Sequence, residues 1–181
     1  MNKGFFFDRD GILNKLVYEK KSTRPPHNLS ELDLNYEIFD SIKSLKNDFM
    51  LFIVSNQPDV KRGNLKLDEL NKINEKINSK LHFTEILCET EDNSLHKKPN
   101  PHMLNNLIKK YDIDKLNSWI IGDRWVDIEA GFRAGIKTIL YKNKYSFDET
   151  SAGLPNKTIK PDIVIETLEE FNSLITNKFQ K

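Results

Sequence analysis

The stretch GFFFDRDG at residues 4–11 decides the fold prediction. Its apolar run stops abruptly at Asp8, and a second aspartate, Asp10, stands directly before a glycine. A run this short and this apolar is typical of a strand buried on both faces, as in a parallel sheet. In open parallel sheets, ligands bind beyond the carboxyl ends of the strands. We therefore predict that this strand delivers both aspartates to a ligand site.

Further short apolar runs repeat this pattern along the chain, and helical periodicity fills the segments between them. The runs lie at residues 50–54, 83–87, 119–121, 138–141 and 163–165. The clearest helical face is formed by Leu67, Leu70, Ile73, Ile77 and Leu81. This alternation predicts an α/β fold with three layers, built on a doubly wound and mainly parallel sheet.

The chain length of 181 residues fits one domain spanning residues 1–181. Two polar segments interrupt the alternation of strands and helices. Residues 15–34 contain two consecutive prolines, and we predict a long loop or a small flap there. Residues 142–161 are rich in Lys, Ser and Asn, and we predict a surface loop.

Composition limits the classes of partner. Lys and Arg number 28 against 27 Asp and Glu, so the net charge of +1 does not favour a nucleic-acid or membrane face. A single cysteine, Cys88, excludes an intramolecular disulfide and a Cys-rich zinc module. No apolar run approaches the roughly 20 residues that span a bilayer. We expect a cytoplasmic protein without a membrane partner, with a monomer as the default state.

Three aspartates have the chemistry of a metal site. Asp8 and Asp10 flank a single residue, and such close carboxylates repel each other unless a cation or a shared proton intervenes. Together with Asp123, which follows a later apolar run, they would suit Mg²⁺, because this cation prefers oxygen ligands. The ordinary alternative is a strand-end turn, since Asp-Gly is a common turn pair.

Three further polar residues lie where strands end or helices begin. Ser55 can hold an anion at a helix N-terminus or can simply cap that helix. Lys98, next to two prolines, can neutralise a transferring phosphoryl group or can be a solvated surface lysine. Asp127 can orient Lys98 from the side of Asp123, or it can cap a helix. Together, the six residues form a complete set for phosphoryl transfer through an aspartyl-phosphate.

The order of these motifs resembles the haloacid dehalogenase superfamily of phosphohydrolases over most of residues 4–141. The four motifs are Asp8-Arg9-Asp10-Gly11, Ser55-Asn56-Gln57, Lys98-Pro99 and Gly122-Asp123 with Asp127. More narrowly, they are similar to the small heptose-bisphosphate and histidinol-phosphate phosphatases. The resemblance implies the superfamily's Rossmann-like fold, capless or with a minimal flap.

The resemblance also implies roles for the motif residues. Asp8 would be the nucleophile and a Mg²⁺ ligand. Asp10 would be the general acid and base, with its backbone carbonyl on the metal. Asp123 would be the third metal ligand.

The remaining motif residues would handle the phosphoryl group. Ser55, Asn56 and Lys98 would bind it, and Asp127 would support Asp123 or Lys98. Arg62, in the loop after the second motif, is a candidate for holding a distal phosphate or is solvent-exposed.

Many close relatives carry a zinc-binding loop of three Cys and one His before the third-motif lysine. Residues 85–98 offer only Cys88 and His96, which cannot supply four tetrahedral ligands. We therefore predict no structural zinc. Trp125 and Arg124 follow the fourth-motif aspartate, and Trp125 either packs on the sheet or borders the substrate pocket.

The leading function is a Mg²⁺-dependent phosphatase of a small phosphorylated metabolite, most simply a sugar phosphate such as heptose 1,7-bisphosphate. A histidinol-phosphate phosphatase is the nearest alternative. A polynucleotide 3′-phosphatase is a third, kept open by a basic patch of Lys15, Lys20, Lys21 and Arg24. A phosphate-binding scaffold without catalysis is the fourth, although the intact acidic and basic set speaks against it.

Overall fold

The computed structural model describes residues 1–19, 22–148 and 154–179. Its strands are β1 (Gly4–Phe7), β2 (Val17–Glu19), β3 (Ser22–Arg24), β4 (Met50–Asn56), β5 (Glu85–Glu89), β6 (Trp119–Gly122), β7 (Lys137–Tyr141) and β8 (Ile163–Ile165). Its α-helices are α1 (Phe39–Leu45), α2 (Leu67–Leu81), α3 (His102–Lys110), α4 (Trp125–Ala134) and α5 (Leu168–Leu174). No helix within these three ranges is long and apolar enough to cross a membrane.

A six-stranded parallel sheet runs through the molecule in the order β5-β4-β1-β6-β7-β8. The strand β1 lies between β4 and β6, and its Phe7 is opposite both Ile53 and Ile121. Because these strands run in the same direction, the residues that follow them meet at one edge of the sheet. The predicted α/β fold with a parallel sheet is confirmed.

Helices cover both faces of this sheet and create the three layers. All four residues of β1 are buried, with Phe5 and Phe7 in one core cluster and Phe6 in the other. The first cluster draws on α1, α2 and α5, and the second on α3 and α4. Alternate side chains of a strand point to opposite faces, so a strand covered on both faces is apolar at every position.

Residues 15–34 contain an antiparallel hairpin of β2 and β3, followed by a short 3₁₀ turn at Leu29–Glu31. Arg24 on β3 donates to Glu31 at 2.7 and 3.1 Å, which ties the hairpin to that turn. The backbone N–H of Leu29 donates to Glu69 on α2. These contacts hold the segment beside the carboxyl edge of the sheet. Lys20 and Lys21 of the predicted basic patch lie outside the described residues.

The second polar segment, residues 142–161, lies only partly within the described residues, since 149–153 fall outside them. Its first part covers Trp125, which is 5% exposed. The backbone N–H of Trp125 donates to the Ser146 carbonyl at 2.8 Å, and its indole N–H donates to the Asp148 carbonyl at 3.1 Å. Trp125 therefore packs beneath this segment and does not line the cavity that holds Asp8.

Candidate active site

The carboxyl edge of the sheet opens into a cavity of about 690 Å³. The strands β1, β4 and β6 deliver Asp8, Ser55 and Asp123 to its floor, and the first turn of α4 adds Asp127. Lys98 enters from the segment before α3. The structure thus brings together the predicted set Asp8, Asp10, Ser55, Asn56, Arg62, Lys98, Asp123 and Asp127 around one cavity.

Lys98 is buried to 2% exposure among three acceptors. Its Nζ donates to Asp8 Oδ1 at 2.8 Å and to the Val54 carbonyl at 2.7 Å, and lies 2.5 Å from Asp127 Oδ1. Burial opposes the charged ammonium, but Asp127 and Asp8 outweigh burial and raise the pKa of Lys98. The side chain is therefore a permanent cation held against Asp8 and Asp127.

The carboxylates at the floor of the cavity are only partly neutralised by neighbouring cations. Burial raises the pKa of Asp8 to about 6, although Lys98 acts in the opposite direction. Burial, followed by the charges of Asp8 and Asp127, raises the pKa of Asp123 well above its ordinary value. Oxygen atoms of Asp8, Asp123 and Asp127 all lie within 4.8 Å of one another. Such a cluster favours either protonation or a bound cation.

The charge balance of this floor fits a divalent cation. Four carboxylates lie here, those of Asp8, Asp10, Asp123 and Asp127. Among the described residues, the buried cations paired with them are Arg9, which contacts Asp10, and Lys98, which contacts Asp8 and Asp127. Two negative charges are left over, and all the available donors are oxygen atoms. This donor set suits Mg²⁺ better than a softer metal.

The turn after β1 is shaped to admit Asp123. Gly11 has a φ of +90°, which L side chains rarely adopt, and a Cβ at this position would collide with the carboxylate of Asp123. A glycine is needed here for both reasons. The Asp-Gly pair is therefore a turn, as the ordinary interpretation had it, and this turn also brings the Asp8 and Asp123 strand ends together.

Asp10 is held by its own set of donors. Arg9 Nη2 donates to Asp10 Oδ2 at 2.9 Å and to Oδ1 at 3.1 Å, and Arg9 Nε donates to Oδ1 at 3.2 Å. Asn14 Nδ2 donates to Oδ1 at 3.0 Å, and Gln57 Nε2 donates to Oδ2 at 2.6 Å. Asp10 therefore has a fixed orientation at the cavity wall.

The side chains of the second motif contact different parts of the site: Gln57 bonds to Ser55, and Asn56 bonds to the backbone of Lys98. The predicted helix N-terminus at Ser55 is wrong, because Ser55 lies within β4 and the next helix, α2, begins only at Leu67. Gln57 Nε2 also donates to Ser55 Oγ at 2.8 Å, which leaves the Ser55 hydroxyl free to donate a hydrogen bond elsewhere. The side chain of Asn56 exchanges two hydrogen bonds of 2.9 Å with the backbone of Lys98. The Asn56 side chain thus holds Lys98 in place, and its predicted phosphate contact stays a prediction.

Arg62 lies in the cavity wall, but acidic neighbours engage its guanidinium. Its Nε and Nη2 donate to the two oxygens of Asp92, both at 2.8 Å, and Nη1 lies 3.4 Å from Asp59 Oδ1. Hydrogen bonding to Asp92 raises the pKa of Arg62. The other oxygen of Asp59 lies 2.8 Å from His27 Nε2, so this carboxylate joins two loops at the cavity mouth.

Arg124, one of the two residues left open by the sequence, also lines the cavity. Its Nη2 donates to the Thr23 hydroxyl at 3.3 Å and its Nη1 to the Tyr145 carbonyl at 3.2 Å. The guanidinium therefore bridges the β2–β3 hairpin and the segment after β7. On the far side, Asn143 Nδ2 donates to Asp123 Oδ2 at 3.2 Å.

The segment expected to lack a zinc loop has other contacts. Asn74 Nδ2 lies 3.5 Å from the Sγ of Cys88, and the ring of His96 stacks on His102 with centroids 3.9 Å apart. Within the described ranges, the one group of three or more acidic, His or Cys side chains close enough to share a metal is the aspartate cluster of the floor. The absence of zinc stays a prediction.

Four functional candidates were missed in the sequence: Arg9, Gln57, His27 and Asn143. Arg9 belongs to the first motif and Gln57 to the second, and this position within a motif was the signal that could have identified them as functional residues. A charged residue between two aspartates at the end of a buried strand must find a partner if it is buried. His27 and Asn143 carry no local signal, because their partners Asp59 and Asp123 are 32 and 20 residues away.

Comparisons with known proteins agree with this geometry. Residues 96–171 match the model of the HAD-hydrolase-like family. The chain is 30% identical over 158 residues to the D-glycero-alpha-D-manno-heptose-1,7-bisphosphate 7-phosphatase of Campylobacter jejuni, covering 78% of this chain and 83% of that protein. It is 27% identical over 144 residues to the histidine biosynthesis bifunctional protein HisB of Actinobacillus pleuropneumoniae, covering 75% of this chain and 39% of that protein.

A solved structure shares the fold over nearly the whole chain. It is the D,D-heptose 1,7-bisphosphate phosphatase of B. bronchiseptica, complexed with magnesium and phosphate. The two structures align with a TM-score of 0.78 at 23% identity, covering 97% of this chain and 99% of the other.

Proposed function

Because the chain belongs to the family of HAD-like phosphatases, we propose that it hydrolyses a sugar phosphate through an aspartyl-phosphate on Asp8. The enzyme class, a phosphoric monoester hydrolase, follows from the family. The observation that carries the mechanism is the contact of the buried Lys98 with Asp8, 2.8 Å apart at the cavity floor. A cation at this place neutralises charge where a phosphate would meet a carboxylate.

In the first half-reaction, a carboxylate oxygen of Asp8 forms a bond to phosphorus, and the bond from phosphorus to the substrate oxygen breaks. Asp10, in its acid form, gives its proton to the departing oxygen. Lys98 stays beside Asp8 throughout, since Val54 and Asp127 hold its ammonium. The Ser55 hydroxyl, whose oxygen accepts a hydrogen bond from Gln57, donates a hydrogen bond to a phosphoryl oxygen and keeps its proton.

In the second half-reaction, the carboxylate of Asp10 takes a proton from water. The water oxygen forms a bond to phosphorus, the bond from Asp8 to phosphorus breaks, and inorganic phosphate leaves. Asp10 is again an acid and Asp8 again a carboxylate. Over the whole cycle one water is consumed, and neither aspartate gains or loses a proton.

Asp8, Asp123 and the backbone carbonyl of Asp10 would hold a Mg²⁺ ion. When bound, this ion neutralises the charge between the carboxylates and the phosphate. The leftover negative charge of the floor supports the assignment, as does the raised pKa of Asp123. Asp127 is engaged by Lys98 and by the backbone N–H of Arg124, which supports a positioning role for it.

Within this reaction, we propose a sugar bisphosphate of the heptose 1,7-bisphosphate type as the substrate. The similarity to heptose bisphosphatases over most of both chains supports it. Arg62 is the candidate for the distal phosphate, and binding would exchange its contacts with Asp92 for contacts with the phosphate. The match to HisB supports histidinol phosphate as a second candidate.

A nucleic-acid end is a weaker candidate substrate. Within the described residues, the two members of the basic patch are paired with acids. Lys15 donates to Asp33 at 3.0 Å, and Arg24 is bound by Glu19 and Glu31. Neither of these two described side chains is an unpaired cation for a phosphate backbone.

Release of inorganic phosphate from a substrate panel tests the proposal. The panel holds heptose 1,7-bisphosphates, histidinol phosphate, common sugar monophosphates and a 3′-phosphorylated oligonucleotide, each with and without Mg²⁺. We expect the highest kcat/KM for a heptose bisphosphate. A higher value for histidinol phosphate or for the oligonucleotide would replace the proposed substrate with that one.

A further inference from the structure

We infer that Arg9 and Gln57 are positioning residues that hold the carboxylate of Asp10 in the orientation needed for proton transfer. The inference rests on the proposed function, because it assigns Asp10 the acid and base steps. It concerns two side chains that face Asp10 from outside the phosphate site.

Arg9 and Gln57 reach Asp10 from different elements. Arg9 follows β1 and forks over both oxygens of the carboxylate, at 2.9 to 3.2 Å. Gln57 follows β4 and reaches Oδ2 at 2.6 Å. Two independent strand ends thus fix both the plane and the rotation of one carboxylate, with Asn14 as a third donor.

Arg9 is fully buried, so it acts on its protein neighbours and not on a bound substrate. Its side chain is 0% exposed, so it does not lie on the cavity surface and cannot reach a substrate there. A buried guanidinium is costly unless it is paired and hydrogen-bonded. Besides Asp10, its Nη1 donates to Asn74 Oδ1 on α2 at 3.2 Å. Asp10 itself still lines the cavity, with 11% of its side chain exposed.

Gln57 connects Asp10 to Ser55. The same Nε2 atom donates to Asp10 Oδ2 and to Ser55 Oγ, at 2.6 and 2.8 Å. It therefore fixes the group that handles the proton relative to the group that faces the phosphoryl oxygens. Proton transfer is sensitive to small displacements, because donor and acceptor must come within hydrogen-bond reach.

A positioning role through Asp10 predicts losses that depend on the leaving group. An alkoxide leaves only with a proton, whereas p-nitrophenolate leaves without one. We expect Gln57→Leu and Arg9→Met to lower kcat/KM for the best sugar phosphate of the panel by about 100-fold, and for p-nitrophenyl phosphate by less than about threefold.

The turnover number supplies a second readout. With p-nitrophenyl phosphate, kcat includes hydrolysis of the aspartyl-phosphate, for which Asp10 must act as the base. We therefore expect kcat to fall in both variants while kcat/KM is retained, with a burst of p-nitrophenolate in the first turnover. A general loss of folded protein would lower both parameters together.

The experiment compares steady-state and burst kinetics of the full chain with Mg²⁺. Asp10→Asn serves as the reference for a missing acid and base. Arg133→Met, which removes an arginine paired with Glu129 outside the cavity, is the matched control and should leave both substrates unchanged. Arg9→Lys keeps the charge but not the fork, and should resemble Arg9→Met in its leaving-group pattern.

The outcomes separate this inference from the proposed function. If Asp10→Asn itself shows no dependence on the leaving group, the proposed role of Asp10 fails and the inference fails with it. If Asp10→Asn shows the dependence but Gln57→Leu affects both substrates equally or neither, the inference alone is wrong. Gln57→Leu carries this test even if the arginine variants do not fold, since it removes no charge. If Gln57→Leu acts through Ser55, kcat/KM should change equally for both substrates. The ratio of the two kcat/KM values then stays unchanged.

Discussion

Lys98 Nζ lies 2.8 Å from Asp8 Oδ1, although 90 residues separate the two in the sequence. The pair is at the floor of the cavity, where the apolar core meets the site. Lys98 remains charged there because two carboxylates face it, while burial holds the pKa of Asp8 at about 6. The same contact thus also places a cation beside the carboxylate that we propose as the nucleophile.

Asp8→Asn removes the proposed nucleophile while keeping an acceptor for Lys98. We expect turnover of every phosphate ester to fall by about 10⁴-fold or more, because an amide cannot form the aspartyl-phosphate. Phosphate release measures the loss, and circular dichroism checks the fold. Turnover above about one hundredth of the wild-type rate would contradict the assignment of Asp8.

Lys98→Met leaves Asp8 and Asp127 without their shared buried cation. We expect the free energy of unfolding to fall by about 3–5 kcal/mol, because uncompensated buried charges are costly. Urea denaturation measures this change. The double variant Lys98→Met with Asp127→Asn should recover part of the loss, since one of the two stranded charges is gone. No recovery would mean that the loss has another origin.

In metal-free protein, the contribution of Asp8 to stability should fall as the pH rises from about 4 to about 6, whereas acids with a lowered pKa, such as Glu31, act in the opposite direction. Burial raises the pKa of Asp8 from 3.8 to about 6, so the folded state binds more protons than the unfolded state in this window. Stability falls with pH wherever the folded state binds the extra proton. Thermal melts of the wild type and of Asp8→Asn in chelator across this range isolate this contribution, and the wild type should lose stability relative to Asp8→Asn as the pH rises. An unchanged stability difference between the two proteins over this window would contradict the raised pKa of Asp8.

Mg²⁺ should stabilise the protein and be required for turnover. At a metal concentration about 100 times the Kd, the free energy of unfolding should rise by about 2.7 kcal/mol. Asp123→Asn should lose both the rise in Tm and the activity, because it removes one of the proposed oxygen ligands. Differential scanning calorimetry with and without Mg²⁺ checks this. An equal rise in Tm for Asp123→Asn would exclude that residue as a ligand.

Arg62→Gln tests the distal phosphate. If Arg62 releases Asp92 to bind that phosphate, KM for the sugar bisphosphate should rise about tenfold, while KM for a sugar monophosphate stays unchanged. Steady-state kinetics on both substrates give the comparison. Equal changes in KM would indicate that Arg62 only holds the loops through Asp92 and Asp59.

Much of the fold and of the site could be predicted from local patterns. The continuous apolar run of β1 predicted a strand buried on both faces, and Phe5, Phe6 and Phe7 are all at 0% exposure. The rule that parallel strands present their carboxyl ends at one edge predicted that Asp8, Ser55 and Asp123 would meet. Helical spacing likewise marked α2 by the residues it buries, such as Leu70 and Ile77.

Side-chain contacts between residues far apart in the sequence could not be predicted from local patterns. Polarity alone would place Arg9 in solvent, but the structure buries it between the adjacent Asp10 and Asn74 on α2, 65 residues away. Arg62 has the sequence context of a phosphate ligand, but an acidic residue 30 positions away occupies its guanidinium. A side chain's charge is visible in the sequence, whereas its counter-charge depends on which distant segments the fold brings near.

The sequence by itself determined the order along the chain of the six strands of the main sheet, though not the β2–β3 hairpin, together with the residues that line the edge of the sheet and the chemical types available there. These depend on periodicity and on position relative to strand ends, which are local properties. Only the tertiary structure decided that Lys98 is shared by Asp8 and Asp127, that Asn56 holds the Lys98 backbone, and that Gln57 joins Asp10 to Ser55. Hydrogen bonds and buried charges depend on distances of a few ångströms between remote residues, and the packing of the core sets those distances.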